Sequence, residues 1–366
     1  MENSKIGNIE AVLCVFIAIV VHTVLSLPKT LITNTKSAAI LNTIYVTILA
    51  LCFVYIVYKL FKAFPNKDII DITEFLGGKT LKTIVGFIFM AYLIISYSIF
   101  LRNFCEALKI VYYPSTNIFF VLIFFIASVC FVSSLDFTAS LKANLIIMPS
   151  VLLSILFLFF ANIRNFSVQR IFPVFGNGLY SLFVTGAGNI FAFSGIVFLY
   201  FIPPLLQKSE NFKKVAIISV LVSALYLILT ISLLLFMFSF FMDNDQIMPL
   251  YTAATYIEFG SFFQRQESVF LLIWMMAFAC FISIVNNFVV RIFQEISGIK
   301  EAKIMVYPIG ILILATALIP NNYANSKYFE TVVFPKLAIG IIFILGIVIL
   351  ILANIKNKKV SDKSRE

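Results

Sequence analysis

The 37 residues IFPVFGNGLYSLFVTGAGNIFAFSGIVFLYFIPPLLQ, positions 171–207, contain no Asp, Glu, Lys or Arg. A helix that crosses a bilayer needs about 20 mostly apolar residues, so this stretch is long enough to span. Its middle, Gly186-Ala187-Gly188-Asn189-Ile190-Phe191-Ala192-Phe193-Ser194-Gly195, is not a plain apolar run. It holds three glycines and two polar side chains. Glycine inside a helix costs about 1 kcal/mol relative to alanine. Two readings follow. Small residues let neighbouring helices pack closely, or the helix unwinds here and turns free backbone groups toward a ligand.

Nine further windows of 18 or more residues are free of charge: 11–28, 37–58, 83–101, 110–135, 143–163, 215–242, 268–290, 304–326 and 337–355. The whole chain, 366 residues, is 61% hydrophobic and 12% charged, with a mean hydropathy of +1.05. Soluble domains carry about 25% charged residues, so a soluble globular enzyme is excluded. The windows predict ten helical spans, about 9–32, 38–61, 81–108, 117–135, 142–161, 180–206, 214–241, 268–296, 304–319 and 335–355. The expected fold class is an all-α polytopic membrane protein with a single transmembrane domain.

The polar stretches 62–79 and 243–267 are too short for a separate domain, which needs about 50 residues. That excludes a nucleotide-hydrolysing unit. Gly77-Gly78-Lys79-Thr80 resembles the end of a phosphate-binding loop, but position 73 is Thr and no strand precedes it. The five cysteines stand singly and there is one histidine, so neither a metal site nor a cofactor is expected. The net charge of +10 is read as topology rather than nucleic-acid binding. With a cytoplasmic N-terminus, 18 of the 27 Lys and Arg fall on the inner side, as the positive-inside rule requires. Both termini, including the tail 356–366, are then cytoplasmic, and the basic charge faces anionic headgroups of the lipid bilayer.

Ten spans divide into two sets of five, about 9–161 and 180–355. An odd-numbered unit and its copy lie inverted across the membrane, an arrangement transporters use, with a broken first helix in each half. In span 1 Pro28 frees the carbonyl of Val24 and disfavours helix at Leu27. A helix that simply ends near Pro28 is the alternative. The candidate ligand residues are His22, Thr23 and Ser26 at the span 1 break. Gly186, Gly188, Asn189, Phe191, Ser194 and Gly195 join them from span 6. Ser283 and Asn287, four apart on span 8, are expected to face spans 1 and 6, with Tyr97 of span 3 capping the pocket. Side-chain amides also bridge membrane helices, and Asn144 and Asn286 are read that way. Arg102 and Glu106 are four apart near the outer end of span 3. They are expected to pair, either as an interfacial pair with Arg102 reaching to water or as a gate or subunit contact. The loop with Tyr251, Tyr256, Phe259, Phe262 and Phe263 is a candidate lid or interfacial segment.

A series of short patterns runs along the chain. It includes Phe64-Pro65-Asn66, Glu74-Phe75-Leu76-Gly77, Leu101-Arg102-Asn103-Phe104-Cys105-Glu106-Ala107-Leu108 and Pro114. It continues with Phe172-Pro173-Val174, Asn177-Gly178-Leu179, Phe191, Phe193 and Pro204, then Glu267, Phe270, Trp274 and Pro320-Asn321. Over about residues 9–350 this order resembles the B subunit of Ger-type spore germinant receptors, the spore germination permease family of the amino acid–polyamine–organocation superfamily. The resemblance implies a ten-helix, LeuT-like permease fold and a sensor in the spore inner membrane for a small germinant. It also implies two partners, an A-type membrane subunit and a C-type lipoprotein. Three positions depart from the family pattern. Val21-His22 stands where Gly-Ser is expected, Ser194-Gly195 where many members carry Gly-Glu, and Phe281 where some carry Lys. A pocket without those charges favours a neutral or zwitterionic ligand and a conformational signal over chemistry. The alternative function is an amino acid or polyamine-type secondary transporter, proton- or ion-coupled, for which His22 is the one mid-span titratable group. A scaffold that binds no ligand is the third option.

Overall fold

The computed structural model describes residues 5–238, 247–257, 265–299 and 301–363. Among them the chain is helical, with one isolated bridge between Ile6 and Leu206. Lipid offers no water to open backbone groups, so each segment satisfies its own ladder. Eight helices are long and apolar enough to cross a membrane, and shorter apolar helices, Asn8–Thr23 and Lys303–Leu318, stand where spans 1 and 9 are expected.

Span 1 is two helices. α1 (Asn8–Val20) runs into a 3₁₀ turn, Val21–Thr23, and α2 (Leu27–Thr35) follows a short turn. Pro28 does not end the first helix; it opens the second. Its missing N–H costs nothing in a first helical turn, where donors have no intrahelical partner. α3 (Ala39–Phe61) returns across the bundle. α4 (Ile69–Tyr112) begins a dozen residues before the expected span, because Asp68 caps it by accepting from the Asp71 N–H at 2.9 Å. The phosphate-loop look-alike is a kink in α4, where Gly78 has φ +72. α5 (Ile118–Leu135) and α6 (Phe137–Ala161) follow.

Span 6 is α7 (Leu179–Phe183) followed by a 3₁₀ segment, Thr185–Tyr200. α8 (Phe212–Met237), the short α9 (Pro249–Thr255), α10 (Gln266–Ser297) and α11 (Val306–Leu318) come next. The last span starts well before residue 335. α12 (Tyr323–Tyr328) passes through a widened π-type turn, Phe329–Val333, into α13 (Phe334–Ala338). A second π-type stretch, Ile339–Leu345, leads to α14 (Gly346–Lys363). The early start follows from Asn322, whose Oδ1 accepts from the Asn325 N–H at 2.9 Å.

α1 is the axis of the bundle. Cys14 through Val21 are all 0% exposed, and a helix apolar on every side belongs at the centre. α8, α6 and the 3₁₀ segment pack around it, and α10 packs on α4, α5 and α6. The 3₁₀ segment meets α1 backbone to backbone. A Cβ on Gly195 would lie 2.5 Å from the Ala18 carbonyl carbon and the Ile19 nitrogen. So the glycine-rich stretch both packs closely and leaves the α-helical path. Gly195→Ala is expected to destabilise the protein by about 1–3 kcal/mol, the cost of overpacking. Gly188→Ala, whose new methyl meets nothing within 4 Å, is expected to be neutral or slightly stabilising. Unfolding in detergent with both variants side by side checks this pair.

Candidate functional site

The two interrupted spans meet at the middle of the bundle. His22, 1% exposed, lies in the α1 break with Nε2 3.3 Å from the Ala192 carbonyl oxygen of the 3₁₀ segment. Thr23 turns back to donate to the Val20 carbonyl at 2.6 Å. A 3₁₀ run of 16 residues is far longer than usual, and such stretches mark hinges or strain. Within it Phe193 leaves helical geometry altogether, with φ −95 and ψ 21.

Aromatic rings close around this junction. His22 meets Phe100 edge-on at 5.3 Å and Phe334 at 6.1 Å. Phe334 also touches Phe191 and stacks with Tyr92. Tyr97 packs on Phe100, Phe198 and, at 4.9 Å, Phe281. None of these rings is more than 5% exposed. The hydroxyls of Tyr92, Tyr97 and Ser194 approach one another here, yet none completes a hydrogen bond of good geometry. A buried polar group left without a partner costs about 1–3 kcal/mol. The shell therefore sets three hydroxyls, only loosely associated with one another, against an apolar, aromatic wall.

The other expected ligand residues go elsewhere. Asn189 donates to Asn42 Oδ1 at 2.6 Å and accepts from Asn34 Nδ2 at 2.8 Å. Asn42 in turn donates to the carbonyls of Leu182 (2.9 Å) and Gly186 (3.1 Å). Gly186 and Asn189 thus belong to an amide bridge that ties α2, α3 and the loosened helix. Gly188 lies on the exposed side of the segment. Ser283 and Asn287 do not face spans 1 and 6 as expected. Ser283 donates to the Val129 carbonyl at 3.3 Å and Asn287 to Ser140 Oγ at 2.9 Å, which places them against α5 and α6. The residue of α10 that faces Tyr97 is Phe281, two positions earlier and about 200° around the helix. Asn144, 0% exposed, has both amide atoms unpartnered.

Near the C-terminal end of α4 Arg102 Nη2 pairs with Glu106 Oε1 at 2.8 Å, as their spacing predicts. Arg102 also donates to the Ala317 carbonyl at 3.2 Å. Together with Lys109, Asn322 and Tyr323 the pair lines an open vestibule of about 550 Å³. At the opposite end of α4, burial and the neighbouring Glu295 and Asp71 hold the Asp68 carboxyl well above the usual carboxylate range.

Sequence reasoning missed Glu330. It is 6% exposed, and Oε1 accepts from the Ser26 N–H (3.1 Å) and the Ser26 hydroxyl (2.5 Å). Oε2 accepts from Asn103 Nδ2 at 2.5 Å. Ser26 is therefore engaged with the last span. The available signal was Asn322, a helix cap ahead of an apolar run, which puts Glu330 inside the span rather than before it. Among the described residues no three His, Cys, Asp or Glu side chains gather as a metal site would require.

Residues 5–326 match the spore germination protein family. A relative, spore germination protein GerQB of Bacillus cereus, is 24% identical over 275 residues, covering 74% of this chain and 75% of that protein. The amide bridge can be tested on its own. Asn42→Ala and Asn189→Ala are each expected to cost about 0.5–2 kcal/mol, and the double variant less than the sum. A double-mutant cycle on unfolding in detergent measures the coupling, expected to be at least about 0.5 kcal/mol.

Proposed function

The chain belongs to the spore germination protein family, and on that premise we propose that it is a receptor subunit for a small germinant. The germinant, an amino acid or a similar small polar molecule, binds where the α1 break meets the 3₁₀ segment. One observation carries this reading: three buried hydroxyls, on Tyr92, Tyr97 and Ser194, stand without complete hydrogen bonds at the junction of two interrupted helices. Buried polar groups are nearly always paired in proteins, so a cluster of unpaired ones is where a polar ligand gains most. The rings of Phe100, Phe191, Phe281 and Phe334 supply an apolar wall, the usual lining of a small-molecule site.

Binding makes and breaks no covalent bond; the chain is not an enzyme. A ligand that bonds to Ser194 and Tyr97 holds the 3₁₀ segment and α4 in one arrangement. It shifts the population by its preference for that arrangement. The partners that read the shift are an A-type membrane subunit and a C-type lipoprotein, in the spore inner membrane. The two interrupted helices, one opening each half of the chain, support an inverted repeat of five plus five spans. The pair of Arg102 and Glu106 serves this design as an outer gate or subunit contact.

Tyr97→Phe and Ser194→Ala each remove one hydroxyl and little volume. Each is expected to raise the half-maximal germinant concentration about three- to tenfold, the worth of one hydrogen bond. His22→Leu is expected to shift the same curve. The measurement is spore germination against a panel of amino acids and inosine, with chain levels in the membrane checked by immunoblot. Unchanged curves for all three variants would remove the site from the bundle centre. Net accumulation of a panel compound by proteoliposomes would favour transport instead.

A further inference from the structure

We propose that Glu330 recognises an ammonium group on the ligand and is reached from the outer vestibule. This rests on the receptor reading above and adds to it the charge that the ligand carries. Among the described residues three carboxylates are less than a tenth exposed: Asp68 at 1%, Glu106 at 7% and Glu330 at 6%. Asp68 caps α4 at the far end, and Glu106 is neutralised by Arg102. Glu330 differs from both. The donors bonded to it, Ser26 N–H, Ser26 hydroxyl and Asn103 amide, are all neutral.

A charged donor makes a hydrogen bond about twice as strong as a neutral one. A buried carboxylate is also expensive unless a cation meets it. An ammonium group arriving at Glu330 therefore outcompetes the two neutral side chains. Lys327, one turn before Glu330, acts on it through space but lies over the Tyr323 ring, Nζ 5.8 Å from its centre, rather than in hydrogen-bond contact with the carboxylate. Access comes from above. Tyr323 lines the vestibule and lies seven residues, about two turns, before Glu330. Asn103 sits on α4 between Arg102 and Glu106, which line the same vestibule. Glu330 is thus tied to the two elements that line the vestibule, to α4 through Asn103 and to α12 along its own helix.

The position also explains how recognition is felt at the centre. Ser26 is the residue that begins α2, and its N–H is held by Glu330. An ammonium that takes over the carboxylate releases that N–H and loosens the break. Phe334, one turn beyond Glu330, packs on both His22 and Phe100. A shift of Glu330 is carried into the ring shell through the same helix. The family match ends at residue 326, so Glu330 lies outside the matched residues.

The test uses the full chain in lipid nanodiscs. Thermal stabilisation is titrated with the twenty amino acids and with their N-acetyl derivatives, which lack the ammonium charge. The expected result is that amino acids that stabilise the wild type lose the effect on acetylation. Glu330→Gln is expected to raise their half-saturating concentration about 10- to 100-fold, and Glu330→Asp to raise it less. Equal half-saturation in wild type and Glu330→Gln, or equal binding of an acetylated derivative, overturns the proposal. If Glu330→Gln does not fold, the acetylation series on the wild type decides the matter. Weaker binding in Tyr97→Phe with unchanged binding in Glu330→Gln defeats this inference alone. No stabilisation by any compound defeats it together with the receptor reading.

Discussion

A helix that unwinds inside a bilayer exposes backbone donors and acceptors where no water can reach them. Everything distinctive about this bundle answers that constraint. The α1 break is closed largely by side chains. Thr23 takes the Val20 carbonyl, His22 meets the Ala192 carbonyl, and Glu330 accepts the Ser26 N–H. Pro28 removes one donor outright. The loosened sixth span is served by Asn42, which donates to two of its carbonyls at once. These polar residues of the core are thus repairs to the two interruptions. The hydroxyls of Tyr92, Tyr97 and Ser194 are among those left over, and they carry the functional reading because they gather where the two interruptions meet.

The repairs also link parts of the chain that are distant in sequence. Glu330 joins α2, α4 and the last span through Ser26 and Asn103. Asn189 joins α2, α3 and the sixth span. The two bridges meet α2 near its two ends, at Ser26 and Asn34, while Leu27, Leu31 and Ile32 are buried between them. α1 is different. It is enclosed by its neighbours from Cys14 onward, and Gly195 sets it against the 3₁₀ segment without clearance.

Most of the fold was legible because charge is so costly in lipid that its absence marks a span. The breaks were legible too, since Gly186, Gly188, Gly195 and Pro28 announce them through backbone chemistry. The last span was misread for the same reason that the others were read well. Lys327 and Glu330 precede the expected span, yet the helix carries them, and Glu330 finds its donors inside the bundle. Orientation about a helix axis was less legible than span position. Ser283 and Asn287 have the spacing of a site, but their partners Val129 and Ser140 lie on α5 and α6. Only tertiary packing decides which face turns inward. Phe281 was noted as a departure from family pattern, and it is the residue that meets Tyr97. Of the proposed lid, Phe259, Phe262 and Phe263 lie outside the described residues.

The closed ring shell around His22 has a kinetic consequence. No ring of that shell is more than 5% exposed, so a ligand cannot collide directly with Ser194 or Tyr97. Entry must wait for the rings of Phe100 and Phe334 to part. The observed association rate then rises with concentration only until it equals the opening rate, and beyond that it is flat. Apparent affinity is reduced by the fraction of molecules that are open. A shell that opens seldom filters brief exposures in time, since a short pulse of ligand finds few molecules able to admit it.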